Sequence, residues 1–475
     1  MSTIAELISR ADSARDRAQW SAAISLYRQV LGSYPQSASL LHNLALCYVG
    51  EGRFREAAEL AKRVIQIDPS LWQSLILLAK SQKALGMIDD ADQSYIRVLA
   101  QHPNNAAALS GRADLALNLY GDPLAAFALV EPLMNHPDHA MDARLVRLMA
   151  SLYDRDTKIN AFELSQQVFQ FAAEFLQLPN MSALRRSAVT SSSSQSAKRP
   201  RVALLSNLFC VSPVYFLTIA GWRHVAQGCD IVILNRGHKQ DWATQVFRDL
   251  AKEWHDVQHM PALTLAQTIA DLQIDVLYDL GGWMDPIGLQ ALSLCPAPQQ
   301  FKWVGGQSMT TGLHCFQGWI GDEWQSPQRF EHLYTEPLIQ VPGGYATYTP
   351  PDYLPKPAKH KSSTPCIFSN PAKVSRAFLK YLKSTPGKKV FIHRQYRFER
   401  TQNRIREALG NQVEFICPET HQEALMELNA HSQMIDTFPY SGGLTAREAM
   451  AMGTSLKVVQ VGKLFCERHS AAYFS

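Results

Sequence analysis

Residues 434–453 read MIDTFPYSGGLTAREAMAMG. Two apolar residues, Met434 and Ile435, run into Asp436-Thr437-Phe438-Pro439. The chain then turns through Ser441-Gly442-Gly443 and resumes near Thr445 with an alanine- and methionine-rich helical pattern. The stretch is therefore strand, glycine turn, helix. Unpaired N–H groups and the positive end of the dipole gather at a helix N-terminus, and a turn without Cβ atoms lets a phosphate come close. On that reading a diphosphate fits at the Ser441-Gly442-Gly443 turn. Glu448, about one helical turn further on, accepts hydrogen bonds from two ribose hydroxyls. Thr445-x-x-Glu448 is equally a capping box that merely closes a helix end, and on these residues alone the two readings stand level.

Outward from this stretch, short apolar runs alternate with helical patterns from Arg201 to the C-terminus. The expected strands are 202–205, 231–234, 275–280, 301–304, 317–320 and 338–341, with helices at 216–225 and 264–272. A proline- and lysine-rich break at 348–365 interrupts the series. It restarts with strands at 366–369, 389–393, 413–417, 434–438 and 457–461 and helices at 375–384, 401–409 and 422–428. Such alternation predicts two doubly wound Rossmann-like halves, 201–360 and 361–475, with a ligand crevice at the carboxyl ends of the strands. The opening stretch is the fourth strand of the second half, which favours the diphosphate over the plain cap.

Upstream, residues 182–200 are serine-rich and basic with almost no large apolar side chains, which predicts a flexible linker. Before them the chain repeats every 34 residues. Pro35, Pro69, Pro103 and Pro137 keep that spacing, as do Ala23, Ala57, Ala91 and Ala125, and Ala11, Ala45, Ala79 and Ala113. Small residues stand where paired helices approach closely, and each proline ends one unit before the next. The pattern looks like the tetratricopeptide repeat: an α-solenoid of four copies over 1–139. Stacked helix pairs leave a concave face suited to an extended peptide, though such an array also serves as a spacer or dimerisation arm. Residues 140–181 keep a helical pattern without the repeat and are expected to cap the solenoid.

Composition narrows the function classes. Lys plus Arg number 46 against 42 Asp plus Glu, so no charge excess argues for nucleic acid. The eight cysteines are scattered without a C-x-x-C pair, as expected of reduced thiols in a cytoplasmic protein and not of a zinc site. No stretch of 18 uncharged apolar residues argues for a membrane span.

The order of segments, in a chain that also carries the repeats, resembles the bacterial members of the O-linked N-acetylglucosamine transferases, glycosyltransferase family 41, with the GT-B architecture. Ser206-Asn207 before Pro213 opens the first half. Residues 275–282 (DVLYDLGG) precede 291–300 (ALSLCPAPQQ), similar to the family's ALRPAPIQ run. Residues 303–312 and Ser326-Pro327 follow in order. In the second half, 368–373 (FSNPAK) looks like FNQLYK, the opening stretch looks like DTFPYN-x-G-x-T-x-x-D-x-L-W-A-G, and 462–472 (GKLFCERHSAA) is similar to GE-x-x-x-SR-x-A-x-S. The resemblance covers roughly residues 200–475.

The resemblance implies a UDP-sugar donor and no cofactor or metal. Lys373 would neutralise the leaving diphosphate, with Asn370 beside it. Gly442, Gly443 and Thr445 would line the phosphate loop, Glu448 would bind ribose and His421 would lie near the uracil. It further implies a hexose or N-acetylhexosamine passed with inversion to a Ser, Thr or Asn side chain of a protein held by the repeats.

Four departures stand out. Ser212 takes the place of the family histidine before Pro213 and has no basic lone pair near neutral pH. Asp279, at a strand end, is the candidate substitute, or else a turn cap. Gly443-Leu444 stands where the resemblance implies His-Thr or Gly-Thr, and the 306–312 loop is one residue longer than the family's. The C-terminal half is short for a GT-B fold, and a trimmed half exposes apolar surface and favours a homo-oligomer. A second reading therefore stands: a tetratricopeptide adaptor whose glycosyltransferase-like half holds a nucleotide without catalysis.

Overall fold

The computed structural model describes residues 3–154, 159–177 and 199–473. Alanine at every thirty-fourth position decides the first unit, Met1–Arg147. Its helices are α1 (Ile4–Asp16), α2 (Trp20–Leu31), α3 (Ala38–Gly50), α4 (Phe54–Ile67), α5 (Trp72–Ala84), α6 (Ile88–Gln101), α7 (Ala106–Asn118) and α8 (Pro123–Val130), followed by the start of α9 (Ala140–Tyr153). Ala11, Ala45, Ala79 and Ala113 are all 0% exposed, so no larger side chain fits at those crossings. Between paired helices, Gly52 and Gly86 take φ of 76° and 77°, the left-handed conformation that glycine adopts without strain. The fourth copy slips by one residue. Its turn glycine is Gly121, and Ala126 replaces Ala125 as the fully buried alanine.

Ala143 and Val146 of α9 join Leu109, Val130 and Leu133, closing the last apolar face of the repeats. The expected cap, 140–181, is thus only partly a cap, because the division between units falls inside α9, after Arg147. The later part of the segment, α10 (Ala161–Phe171) and a π-helical turn at Ala172–Leu176, belongs to the second unit. There Phe171 lies 5.6 Å from the Trp283 ring and the Gln290 amide donates to the Phe175 carbonyl at 2.8 Å. Phe169, Phe171 and Phe175 read as helical in the sequence, but periodicity does not say which surface an apolar stripe covers. The expected linker, apart from its last two residues, lies outside the described residues.

In the second unit, Leu148–Ser475, the first half carries β1 (Arg201–Ser206), α11 (Pro213–Val225), β2 (Asp230–Asn235), α12 (Trp242–Leu250), β3 (Glu253–Asp256), α13 (Ala262–Asp271), β4 (Val276–Asp279), α14 (Pro286–Leu292), β5 (Gln299–Lys302), β6 (Gly318–Gly321) and β7 (Leu338–Gln340). The second half follows with β8 (Cys366–Phe368), α15 (Arg376–Ser384), β9 (Lys389–Ile392), α16 (Glu399–Leu409), β10 (Val413–Ile416), α17 (His421–Asn429), β11 (Gln433–Ile435), α18 (Leu444–Ala451) and β12 (Ser455–Lys457). All strand pairs are parallel, in the orders β3-β2-β1-β4-β5-β6-β7 and β10-β9-β8-β11-β12.

Three elements, β3, α12 and the short α14, escape the sequence reading. Strand β3 is Glu-Trp-His-Asp, an edge strand whose charges keep other chains from pairing with it, so it shows no apolar run. Helix α12 before it is short. The last strand also sits two residues earlier than its valines suggest.

Each sheet reverses direction once, between β1 and β4 and between β8 and β11. Parallel sheets open a crevice at such a switch point, outside the carboxyl ends of the two strands. In the second half those ends lead into Asn370–Lys373 and into Asp436–Gly443.

Candidate active site

Met434 of β11 pairs with Cys366 of β8, and this register sets the two outgoing loops side by side. The first loop is capped by its own asparagine: Asn370 Oδ1 accepts from the Ala372 N–H at 2.8 Å. Lys373 ends that turn. Its ammonium donates to the Ser441 carbonyl at 2.9 Å and lies 4.4 Å from the centre of the Tyr440 ring. Burial lowers its pKa to about 8, and Asp436 opposes the shift.

Asp436, 3% exposed, organises the second loop. Its Oδ1 accepts from the Thr437 N–H at 2.9 Å and the Gly442 N–H at 2.8 Å, and its Oδ2 accepts from the Ser470 hydroxyl. Burial pushes its carboxyl up to about 6, against the pull of these donors and Lys373. A Cβ on Gly442 would fall 2.5 Å from Thr445 Oγ1 and 2.9 Å from Asp436 Oδ1, which is why this position is glycine. The Gly442 N–H, expected to face a phosphate, is instead bound to Asp436. Gly443 is the N-cap of α18 and carries no side chain to cap it, so the helix's first N–H groups have no partner within the helix. The His469 ring packs near Gly443, with Cγ 3.6 Å from where a Cβ would be. Its imidazole is held down to about 3, by burial first and then by Lys373.

Glu448, 1% exposed, meets His421 Nε2 at 2.8 Å, and the Tyr353 hydroxyl meets His421 Nδ1 at 2.8 Å. The pairing joins two residues assigned separate roles at ribose and uracil. Leu444, read as a lost polar contact, packs into the first half's apolar cluster with Val214 and Phe216, and Arg447 donates to the Ala346 carbonyl at 3.0 Å. Through these two α18 residues the opening of α18 and the first half are held in contact.

The first-half candidates do not supply a free base. Ser212, the N-cap of α11, donates its hydroxyl to the Leu208 carbonyl at 2.8 Å. Asp279 requires correction: it is 2% exposed and does not open onto the crevice. It accepts from the Gly281 and Gly282 N–H groups at 3.0 Å and pairs with Lys302 at 3.2 Å. Lys302, 0% exposed, also donates to the Asp279, Trp303 and Gly305 carbonyls. This is a buried structural pair, the turn-cap alternative in stronger form.

The structure therefore gathers Lys373, Asn370, Gly442, Gly443 and Thr445 at one switch point, joins Glu448 to His421, and leaves Ser212 and Asp279 in the first half. Sequence reasoning missed Asp436, Tyr440 and His469. Asp436 follows an apolar strand at the loop's entrance, and that position was its available signal.

Models of the tetratricopeptide repeat match residues 8–71 and 48–115. A protein of tomato (Solanum lycopersicum) named "Probable UDP-N-acetylglucosamine--peptide N-acetylglucosaminyltransferase SPINDLY" is 26% identical over 271 residues, covering 52% of this chain and 28% of its own length. A SPINDLY protein of the same description from Arabidopsis thaliana is 26% identical over 271 residues, covering 52% and 29%. The chain thus spans less than a third of the length of these relatives. Among solved structures, a point mutant of Thermobaculum terrenum O-GlcNAc transferase superposes with a TM-score of 0.64 and 21% identity, covering 99% of this chain and 86% of that one. The chain thus carries tetratricopeptide repeats followed by an α/β unit that is similar in sequence to SPINDLY proteins and similar in fold to a bacterial O-GlcNAc transferase.

Proposed function

We propose that the chain is a protein glycosyltransferase that uses a UDP-sugar, acts with inversion and needs no metal ion or cofactor. The observation that carries the reading is Lys373: an ammonium held at the switch point of the second sheet, beside the opening of α18. Transfer breaks the bond between the anomeric carbon and the β-phosphate oxygen, and negative charge grows on that oxygen. A preorganised cation and the N-terminus of a helix stabilise that charge. The acceptor hydroxyl attacks the opposite face of the anomeric carbon, which inverts it, and the hydroxyl proton leaves to the departing diphosphate or to water.

The names of the relatives support an N-acetylhexosamine donor and a peptide acceptor, and a Ser or Thr side chain would supply the attacking hydroxyl. In the repeat unit, a cavity of about 340 Å³ is lined by Leu41, Leu44, Tyr48, Glu56 and Arg63 among others. Its mixed apolar and charged wall suits a peptide segment of the acceptor. Cysteines scattered along the chain without a C-x-x-C pair support a cytoplasmic setting.

A second reading, a nucleotide-holding adaptor, is favoured by the lack of a base at Ser212 and Asp279. General-base assistance is worth about 10²–10⁴ in rate, so its loss slows transfer without removing the electrostatic contribution. The two readings separate on turnover. UDP-sugars are supplied without metal to the wild type and Lys373→Ala, with lysate proteins as acceptors. Sugar on protein that disappears in the variant supports the enzyme, whereas UDP binding with no transfer supports the adaptor.

A further inference from the structure

Two adjacent residues at the end of α9 hold both loops of the donor site. The Tyr153 ring stacks on Tyr440, centroids 5.0 Å apart and planes at 19°. Tyr440 is the ring over which the Lys373 ammonium lies, and the next residue, Ser441, supplies the carbonyl that this ammonium binds. Asp154 accepts from the Arg376 N–H at 3.0 Å and from Arg376 Nε at 3.1 Å. Arg376 opens α15 only three residues after Lys373. One turn of chain therefore touches the segment that carries the lysine and the segment that receives it. The rest of the frame is fixed by other bonds: Ser375 donates to the Phe438 carbonyl at 2.7 Å, and the Tyr440 hydroxyl meets Ser308 Oγ at 3.0 Å.

We propose that Tyr153 and Asp154 form a clasp that positions the Lys373 ammonium for the donor diphosphate. They are positioning residues and touch no substrate. The proposal rests on the donor-site reading above, but its mechanical part stands on these contacts alone. Tyr153 braces Tyr440 against the ammonium and keeps water from it. Asp154 fixes the start of α15 and with it the end of the lysine's turn. Asp436, His393, His469, Tyr440 and Cys466 are the titratable groups that face Lys373. None of them is removed by changes in the clasp.

The test uses the full chain as wild type, Tyr153→Ala, Tyr153→Phe and Asp154→Asn. Lys373 is titrated by NMR after reductive ¹³C-methylation, with Lys373→Arg assigning its signal, and UDP binding is followed by calorimetry. Opening the clasp in Tyr153→Ala exposes the ammonium, so the titration midpoint rises from about 8 towards the ordinary lysine value. UDP affinity falls about tenfold, and Tyr153→Phe, which keeps the ring, restores both readouts. Asp154→Asn retains the apolar packing and gives a smaller shift in the same direction, so the proposal stays testable if Tyr153→Ala fails to fold. An unmoved Lys373 titration in folded Tyr153→Ala or, failing that, in Asp154→Asn overturns the clasp. A wild type that ignores UDP overturns the donor-site reading instead, while the titration still decides whether the clasp sets the lysine.

Discussion

Lys373 and Asp436 place opposite charges where water is scarce, and burial works against both. The lysine titrates near 8 and the carboxyl near 6. Between those values both are charged, and the ammonium is available to a diphosphate. UDP affinity is expected to fall as pH rises through about 8, and Lys373→Ala is expected to bind about 10–100 times more weakly with that dependence gone. Calorimetry across pH 6–9 checks this. Folding has the opposite sign. A lysine pKa lower in the folded state means that the charged form disfavours folding at neutral pH, a penalty relieved as pH rises from about 8 to the unfolded value. Thermal melts of Lys373→Met should therefore lack this gain in stability above about pH 8, and the variant should bind UDP less well. At this scale the sequence was legible wherever a motif fixed a residue's place, as for Lys373 and Gly442. It was not legible for Asp279, because a strand-terminal aspartate reads the same whether it faces solvent or a buried lysine.

At the scale of elements, the Asp279–Lys302 pair joins the ends of β4 and β5 beneath the turn at Gly281-Gly282. Removing one partner of a buried pair leaves the other charged and unmatched, so Asp279→Asn is expected to cost about 3–5 kcal/mol. Adding Lys302→Met should recover part of it. Thermal or denaturant unfolding measures the loss. A variant that kept its stability and lost only transfer would make Asp279 a base after all. The strands were legible from their apolar runs, since parallel strands covered on both faces read as continuous Val, Ile and Leu. Strand β3 was not, because its composition is dictated by its place at the edge and by the Arg201–Glu253 pair at 2.7 Å. The boundary inside α9 was equally hidden, since a helix carries no mark of where its packing partners change.

Taken as a molecule, the chain combines a repeat array with a two-sheet unit, and the 34-residue period and the restart of strands at 366 made both legible. Their chemistry is separable. A Cβ on Gly111 would fall 2.3 Å from Tyr95 Cζ, inside the helix packing of the repeats. Gly111→Ala is expected to destabilise the repeat unit by about 1–3 kcal/mol. UDP affinity should be unchanged, as calorimetry beside a thermal melt would show. Whether the pieces together transfer sugar depends on a proton that neither Ser212 nor Asp279 takes. The measurement that bears on this most directly is transfer from a panel of UDP-sugars to lysate proteins, without added metal, by wild type and Lys373→Ala. The account predicts slow but measurable labelling by the wild type and at least about a hundredfold less by the variant. Labelling that survived in Lys373→Ala, or UDP binding by the wild type without any labelling, would contradict it.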